Sequence, residues 1–283
     1  MTGLMMLIRE KYHPIYRLRR YRSFQALTRL TDVPVSIRIY PIEHPICVSL
    51  SKNLALVLSG GRAGEERERK NYIEITKRGG FKSFLDIGAN VGLYGFLFHS
   101  LISDSEVTMI EPDARNAALI RRTISRFGIS GVNLIEAAAS EKAGTASFFK
   151  DDVSGATGSL KRGGADYFIS SHHHASPEKI AVRCISVDEL PGMEPDFIKM
   201  DVEGAELDAL KGARNLIHRS QPALFFECDA NQEAVKDFLA DYGYIFFDFA
   251  SLQPVEVIPH NCLALHPSQH GKIIESIGRN RPI

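Results

Sequence analysis

At 283 residues and 44% hydrophobic content, the chain can bury one large core and still leave material for a short extension. Its 34 basic residues balance 34 acidic ones, so bulk attraction to nucleic acid is not expected. Four scattered cysteines without a Cys-x-x-Cys pair argue against a zinc site or a disulfide framework, and no apolar run reaches the roughly eighteen residues of a membrane span. A reducing, cytoplasmic setting fits this composition.

Residues 1–30 set Arg9, Lys11, Arg17, Arg19, Arg20, Arg22 and Arg29 against Glu10 alone. With Leu4, Leu7, Ile8, Ile15 and Leu18 as an apolar face, this segment reads as a basic helix. It either packs that face on the domain or makes peripheral contact with an anionic membrane or a phosphorylated substrate. Val35 to Tyr40, Ile46 to Leu50 and Leu54 to Leu58 then read as short strands of a small β cap, separated by Pro41, Pro45 and Asn53. Gly60 to Gly64 marks a hinge. The expected division is therefore an N-terminal part, 1–63, and a main domain, 64–283, which opens on a charged helix from Glu65 to Lys77.

Phe84-Leu85-Asp86-Ile87-Gly88-Ala89-Asn90-Val91-Gly92 is a buried strand that breaks into a glycine turn. A Gly-x-Gly-x-x-Gly turn would hold a pyrophosphate, which an added carboxylate repels. Here an acid leads instead. Asp86, with Gly88, Asn90 and Gly92 opening the backbone, suits a nucleoside ligand that has a positive centre and no phosphate, such as S-adenosylmethionine. A second strand, Glu106 to Ile110, ends at Glu111, placed to accept hydrogen bonds from both ribose hydroxyls; a helix from Ala114 to Phe127 follows.

From there strands and helices alternate, which predicts a doubly wound, mostly parallel sheet. Its further strands are Val132 to Glu136, Asp196 to Met200, Ala223 to Phe226, Tyr244 to Asp248 and Asn261 to Leu265. Thr145 to Phe149 and Ile180 to Ile185 flank a long polar loop, 151–179, expected to cover the substrate. Its His172-His173-His174 run reads as solvated loop rather than a metal site, with one histidine serving as base as the sharper alternative. His99 reads as packed.

The chemistry is expected after the fourth strand, where Asp201 and Glu203 emerge at the ligand-binding end of the sheet and Gly204 opens a helix carrying Leu207, Leu210 and Ile217. Glu227 ends the next strand comparably. These acids either act on the substrate or cap a helix. A divalent cation on Asp201, Glu203 and Glu227 is the less favoured chemical route, since Lys199 already supplies positive charge.

The ordered set Asp86 to Gly92, Glu111-Pro112, Ala138 to Gly144, Ser186 to Leu190, Lys199-Met-Asp-Val-Glu-Gly-Ala-Glu206 and Leu210 to Ala213 resembles the FkbM family of methyltransferases over residues 65–265. The resemblance implies a class I methyltransferase, Rossmann-like fold with a seven-stranded sheet, and S-adenosylmethionine as methyl donor. It also implies O-methylation of a small-molecule or glycan hydroxyl. Asp86, Gly88, Asn90 and Glu111 match the family's cofactor positions, and Asp201 and Glu203 its acidic motif. An NAD-dependent oxidoreductase and a non-catalytic nucleoside-binding module are the alternatives.

Overall fold

The computed structural model describes residues 32–59, 66–150, 158–161 and 178–279. The basic segment 1–30, the Gly60 to Gly64 hinge and His172 to His174 lie outside them. Two short strands, β1 (Pro34–Ile37) and β2 (Ile46–Ser49), form an antiparallel pair. Helices α1 (Leu54–Ser59) and α2 (Glu66–Gly79) lead into β3 (Ser83–Ile87), α3 (Leu93–Leu101), β4 (Glu106–Ile110), α4 (Ala114–Phe127) and β5 (Val132–Ile135). A small second sheet follows: β6 (Ala138–Ala139), β7 (Gly144–Lys150) and β8 (Glu178–Ile185). The chain then runs through β9 (Phe197–Met200), α5 (Glu206–Lys211), α6 (Arg214–Ser220), β10 (Ala223–Glu227) and α7 (Gln232–Ala240). It closes with β11 (Ile245–Asp248), β12 (Asn261–Leu265) and α8 (Pro267–Arg279).

The main sheet has the order β11-β12-β10-β9-β3-β4-β5, with β12 antiparallel to both neighbours and the other pairings parallel. This is the α/β class I methyltransferase sheet that the resemblance implies. A dinucleotide-binding sheet has six parallel strands with no antiparallel strand inserted.

Strand alternation divides the interior into two cores. Phe84, Val107, Met109, Phe197, Phe225 and Leu263 point to one face, where Tyr72 of α2, Phe98 of α3 and Ile273 of α8 meet them. Leu85, Ile87, Ile110, Ile198, Met200 and Phe226 point to the other, against Leu210, Ile217, Val235 and Leu239. Asp86 shares the first face, and the parallel register sets it opposite Lys199. An acid and a base thus lie side by side inside an otherwise aromatic core.

The β1–β2 pair is built into that first core through Ile39, Ile42, Ile46 and Val48. It is tied to α4 by the Cys47 N–H donating to Thr123 Oγ1 at 2.9 Å. One expectation is corrected. Leu54 to Leu58 is not a strand but lies in α1, which opens with the Val57 N–H bonding the Asn53 carbonyl. Adjacent Leu56 and Val57 both pack on the first core, which a helix permits and a strand's alternation forbids. The helix expected after Gly204 is likewise two, α5 and α6, broken at Gly212. A Cβ on Gly212 would lie 2.0 Å from the Ser140 carbonyl oxygen.

That break explains the scaffold motifs. The Ser186 hydroxyl and the Asp188 N–H both donate to the Gly212 carbonyl at 2.8 Å, and the Asp188 carboxylate accepts from the Asn215 and Leu216 N–H groups that begin α6. Residues 140–141, 186–190 and 210–213 therefore meet at one corner, while Ala138 and Ala139 reach the cleft that the cofactor turn lines.

Candidate active site

The turn after β3 is shaped by three left-handed residues: Gly88 (φ 78), Asn90 (φ 54) and Gly92 (φ 81). At Gly88 this is obligatory, because an added Cβ would meet the Asp201 carbonyl oxygen at 1.9 Å. The Gly88 and Ala89 N–H groups donate to Ile110 O, and the Asp201 N–H donates to Ile87 O, so the tips of β3, β4 and β9 are laced together. Glu111 completes the lacing. Its two carboxylate oxygens accept from the Asn90 N–H (2.7 Å) and the Asp113 N–H (2.8 Å).

These tips wall an open cleft of about 620 Å³. Gly88, Asn90, Glu111, Asp113, Asp201 and Glu203 line one side, while Ala138, Phe148, Gly158 and Leu160 of the small sheet and its loop line the other. Four of these residues are acids. Two of them are ion-paired, Asp113 with Lys150 at 3.5 Å and Asp201 with Lys199 at 3.0 Å, so the lining offers a ligand the carboxyl oxygens of Glu111 and Glu203. Asn90 Oδ1 is a buried acceptor without a hydrogen-bond partner, and the Glu111 oxygens keep lone pairs beyond their backbone bonds. The residues present therefore fit S-adenosylmethionine.

The remaining expected residues are placed as follows. Gly92 starts α3 with Phe96 and Met109 packed against it. Asp86 is fully buried behind the cleft lining, where its Oδ2 accepts the Gly95 N–H at 3.0 Å and its Oδ1 has no partner. It is absent from the cleft lining and holds the first turn of α3. Glu227 also stands apart from the lining, with its Oε2 3.5 Å from His260 Nε2; His260 Nδ1 lies 2.7 Å from Asp229 Oδ1. Of the three acids expected to converge, Asp201 and Glu203 line the cleft, while Glu227 lies outside the lining but near enough for its charge to act on Lys199 with that of Asp201. Among the described residues no group of His, Cys, Asp and Glu is arranged to hold a metal ion. His99 bonds Ser105 on the far side of α3.

Lys199 is the hub of this electrostatic arrangement. Its buried Nζ lies 3.0 Å from Asp201 Oδ2 and 5.2 Å from the centre of the Tyr94 ring. Burial opposes its charge, but Asp201, Asp86 and Glu227 together hold the ammonium well above its ordinary range. Burial pushes Asp86 up to about 6 despite Lys199 and the Gly95 N–H. Glu111 rises to about 8, chiefly through burial. Glu203 also rises to about 8, through burial and then the charges of Asp201, Glu206 and Asp229, opposed by Lys199.

These shifts have a measurable sign. From pH 6.5 to 8 the folded chain keeps protons on Glu111 and Glu203 that the unfolded chain, with glutamates near 4.5, has released. Stability is therefore greater at the acid end of that window and falls as pH rises, the reverse of a salt-bridged carboxylate. Buried His270, depressed to about 4, acts in the opposite sense, but only below 6.5. Urea unfolding of the ligand-free chain is expected to give a lower midpoint at pH 8 than at 6.5. Equal midpoints would mean that both carboxyls are ionised throughout.

Asp113 and Phe148 were not singled out by the sequence, whereas Gly158 and Leu160, which line the cleft, belong to the loop 151–179 expected to cover the substrate. Asp113 alone had a local signal: it N-caps α4 by accepting the Arg115 N–H at 2.9 Å.

The family model for the methyltransferase FkbM domain matches residues 86–246, more than half of the chain. No curated protein matches it. Among solved structures, the FkbM methyltransferase of Methylobacillus flagellatus KT is similar at 20% identity and a TM-score of 0.42, over 65% of this chain. The alignment spans only 43% of that protein's length. A putative methyltransferase from Escherichia coli aligns at 9% identity and a TM-score of 0.43, covering 82% of this chain and 99% of its own. Pyrococcus abyssi tRNA (uracil-54, C5)-methyltransferase, solved with S-adenosyl-L-homocysteine, aligns at 10% identity and a TM-score of 0.42, covering 82% of this chain and 43% of its own. With the family model spanning the glycine turn, Glu111 and the acidic motif after β9, the chain belongs to the FkbM family of S-adenosylmethionine-dependent methyltransferases.

Proposed function

We propose that the chain transfers a methyl group from S-adenosylmethionine to a hydroxyl oxygen of a sugar, glycan or secondary metabolite. The observation that carries this reading is one cleft lined together by the glycine turn, Glu111 and the acidic pair Asp201 and Glu203. When bound, S-adenosylmethionine supplies a methyl group made electrophilic by its sulfonium. Glu111 and Asn90 Oδ1 supply acceptors for its hydroxyl and amino groups, and Gly88 lets the backbone approach.

A hydroxyl oxygen must lose its proton as it attacks the methyl carbon, so a base within reach contributes beyond positioning. Glu203 has the suitable character: it faces the cleft, and its affinity for protons is raised toward neutrality. Asp201, paired with Lys199, stays with that cation and orients the loop. Acids at the mouth also suit a polyhydroxylated acceptor, whose hydroxyls donate to carboxylates.

The test is a screen with methyl-labelled S-adenosylmethionine over methyl glycosides, oligosaccharides and hydroxylated polyketides, with the product bond identified by NMR. An O-methyl product is expected; transfer only to nitrogen or carbon acceptors would overturn the reading. A second measurement concerns the donor. Replacing Glu111 by Gln keeps the size of the side chain but removes one backbone acceptor and, above pH 8, the charge. Affinity for S-adenosylmethionine is expected to fall roughly ten- to a hundredfold by calorimetry. Unchanged affinity with an intact fold would remove Glu111 from the donor site.

A further inference from the structure

Ser159 is fully buried, and its hydroxyl donates to the backbone carbonyl of Glu203 at 2.6 Å, linking residues 44 positions apart. The segment that carries it is held on both sides. Phe149 and Ser159 exchange two backbone hydrogen bonds, of 2.8 and 3.0 Å, at the end of β7. Gly158 lies so close to the Phe148 ring that a Cβ would stand 2.4 Å from it. Lys161 donates its N–H to Ser159 Oγ at 2.9 Å and its ammonium to Asp208 of α5 at 2.5 Å. The Ser159 hydroxyl thus donates once and accepts once, which fixes its orientation.

Glu203 needs such a hold. Its φ of 52 is left-handed, a conformation costly for a residue with a side chain, and Gly204 continues the turn at φ 94. We propose that Ser159 is a positioning residue for methyl transfer, holding the Glu203 carbonyl so that the strained turn keeps the Glu203 carboxyl aimed into the cleft. The inference rests on the reading of Glu203 as the group that receives the acceptor's proton. Gly158 and Leu160, on either side of Ser159, line the same cleft, so the wall that borders the donor also sets the acid.

The test compares Ser159→Ala, Ser159→Thr, Glu203→Gln and the Ser159→Ala/Glu203→Gln double variant in the full chain. The first readout is the carboxyl titration of Glu203 by carbon-13 NMR, assigned by the signal that Glu203→Gln removes. The charged groups facing that carboxyl are Asp201, Glu206, Asp229 and Lys199, and none is altered by changing Ser159. The second is methyl transfer to an active methyl glycoside from the screen above.

With Ser159→Ala the turn relaxes, and Glu203 should titrate at lower pH as it gains water. Its kcat should fall roughly ten- to a hundredfold, the scale of a misplaced catalytic group, with KM for S-adenosylmethionine near that of the wild type. Ser159→Thr should restore both. A Ser159→Ala variant with wild-type titration and kcat would overturn the inference, as would an equal further loss on the Glu203→Gln background. Full turnover by Glu203→Gln would instead overturn the reading of Glu203 itself. If Ser159→Ala does not fold, Ser159→Cys, a weak donor, makes the same comparison against Ser159→Thr.

Discussion

Replacing Gly88 by Ala is expected to abolish S-adenosylmethionine binding and to destabilise the fold by about 2 to 5 kcal/mol, the sum of left-handed strain and overpacking. The strain is common to any glycine with a positive φ. What distinguishes Gly88 is its neighbour, the Asp201 carbonyl oxygen 1.9 Å from the added carbon. That oxygen cannot retreat cheaply, because the Asp201 N–H is bonded to Ile87 O and the Gly88 N–H to Ile110 O. Movement would part the tips of β3 and β9 and carry Asn90 away from Glu111. Gly80 is the internal control: its φ is 70, yet an added Cβ meets nothing within 4 Å. Gly80→Ala should cost only about 1 to 2 kcal/mol and leave donor affinity unchanged. Urea melts and calorimetry on both variants measure the difference; equal behaviour would mean that the close approach at Gly88 does not govern the site.

The second large effect is expected at Glu203. Glu203→Gln preserves shape but cannot take a proton. Turnover should fall about 10²- to 10⁴-fold, the usual contribution of a positioned base, while donor affinity changes little. The wild-type pH profile should agree. A base must be deprotonated to act, and Glu203 is raised to about 8, so kcat should climb with pH up to that value and level off above it. Asp201→Asn should act differently. It removes the charge that pairs with buried Lys199 at 3.0 Å, and the penalty should appear in stability as well as in rate. A flat pH profile together with an active Glu203→Gln variant would leave these acids as turn structure only.

Where hydrophobic pattern and punctuation agreed, the chain could be read closely. Glu106 to Ile110, Ala114 to Phe127 and Asn261 to Leu265 begin and end in the structure where the sequence places them, because Pro112 and Asp113 stop one element and cap the next and Gly128 closes the helix. The glycine turn was legible for a related reason: φ and close approach restrict residue type at single positions. Leu54 to Leu58 misled because five consecutive apolar residues carry neither period. Ala138–Ala139 carried no strand signal at all; it is a strand only because Cys184 and Ile185 lie alongside.

The partners of the acids were the least legible. Asp86 and Glu111 each announce a carboxylate, but not whether it faces ligand or backbone. Glu111 faces the cleft and backbone donors, while Asp86 turns inward to Gly95. Glu227 looked equivalent to Asp201 as a strand-tip acid, yet it lies outside the cleft lining and 3.5 Å from His260, which arrives from the connection before β12. Ser159 sits in a Gly- and Ser-rich stretch whose composition says only loop. Its bond to Glu203 depends on how the small sheet folds back over the main one, and no local pattern encodes that.

The order of the last strands has a bearing on how the protein is made. Among the described strands, β11 is bonded to the sheet only through β12, which comes later in the chain yet lies between β11 and β10. As synthesis proceeds, residues 245–248 emerge before the strand that will hold them, and the edge of β10 stays open meanwhile. The sheet cannot be completed by adding strands in order of their appearance. It closes when β11 and β12 pair and dock against β10 together, burying Leu263 and Leu265 in one core and Cys262 and Ala264 in the other. Until residue 265 is free of the ribosome, the nascent chain presents an unpaired edge beside Phe225 and Phe226, the kind of surface that chaperones shield.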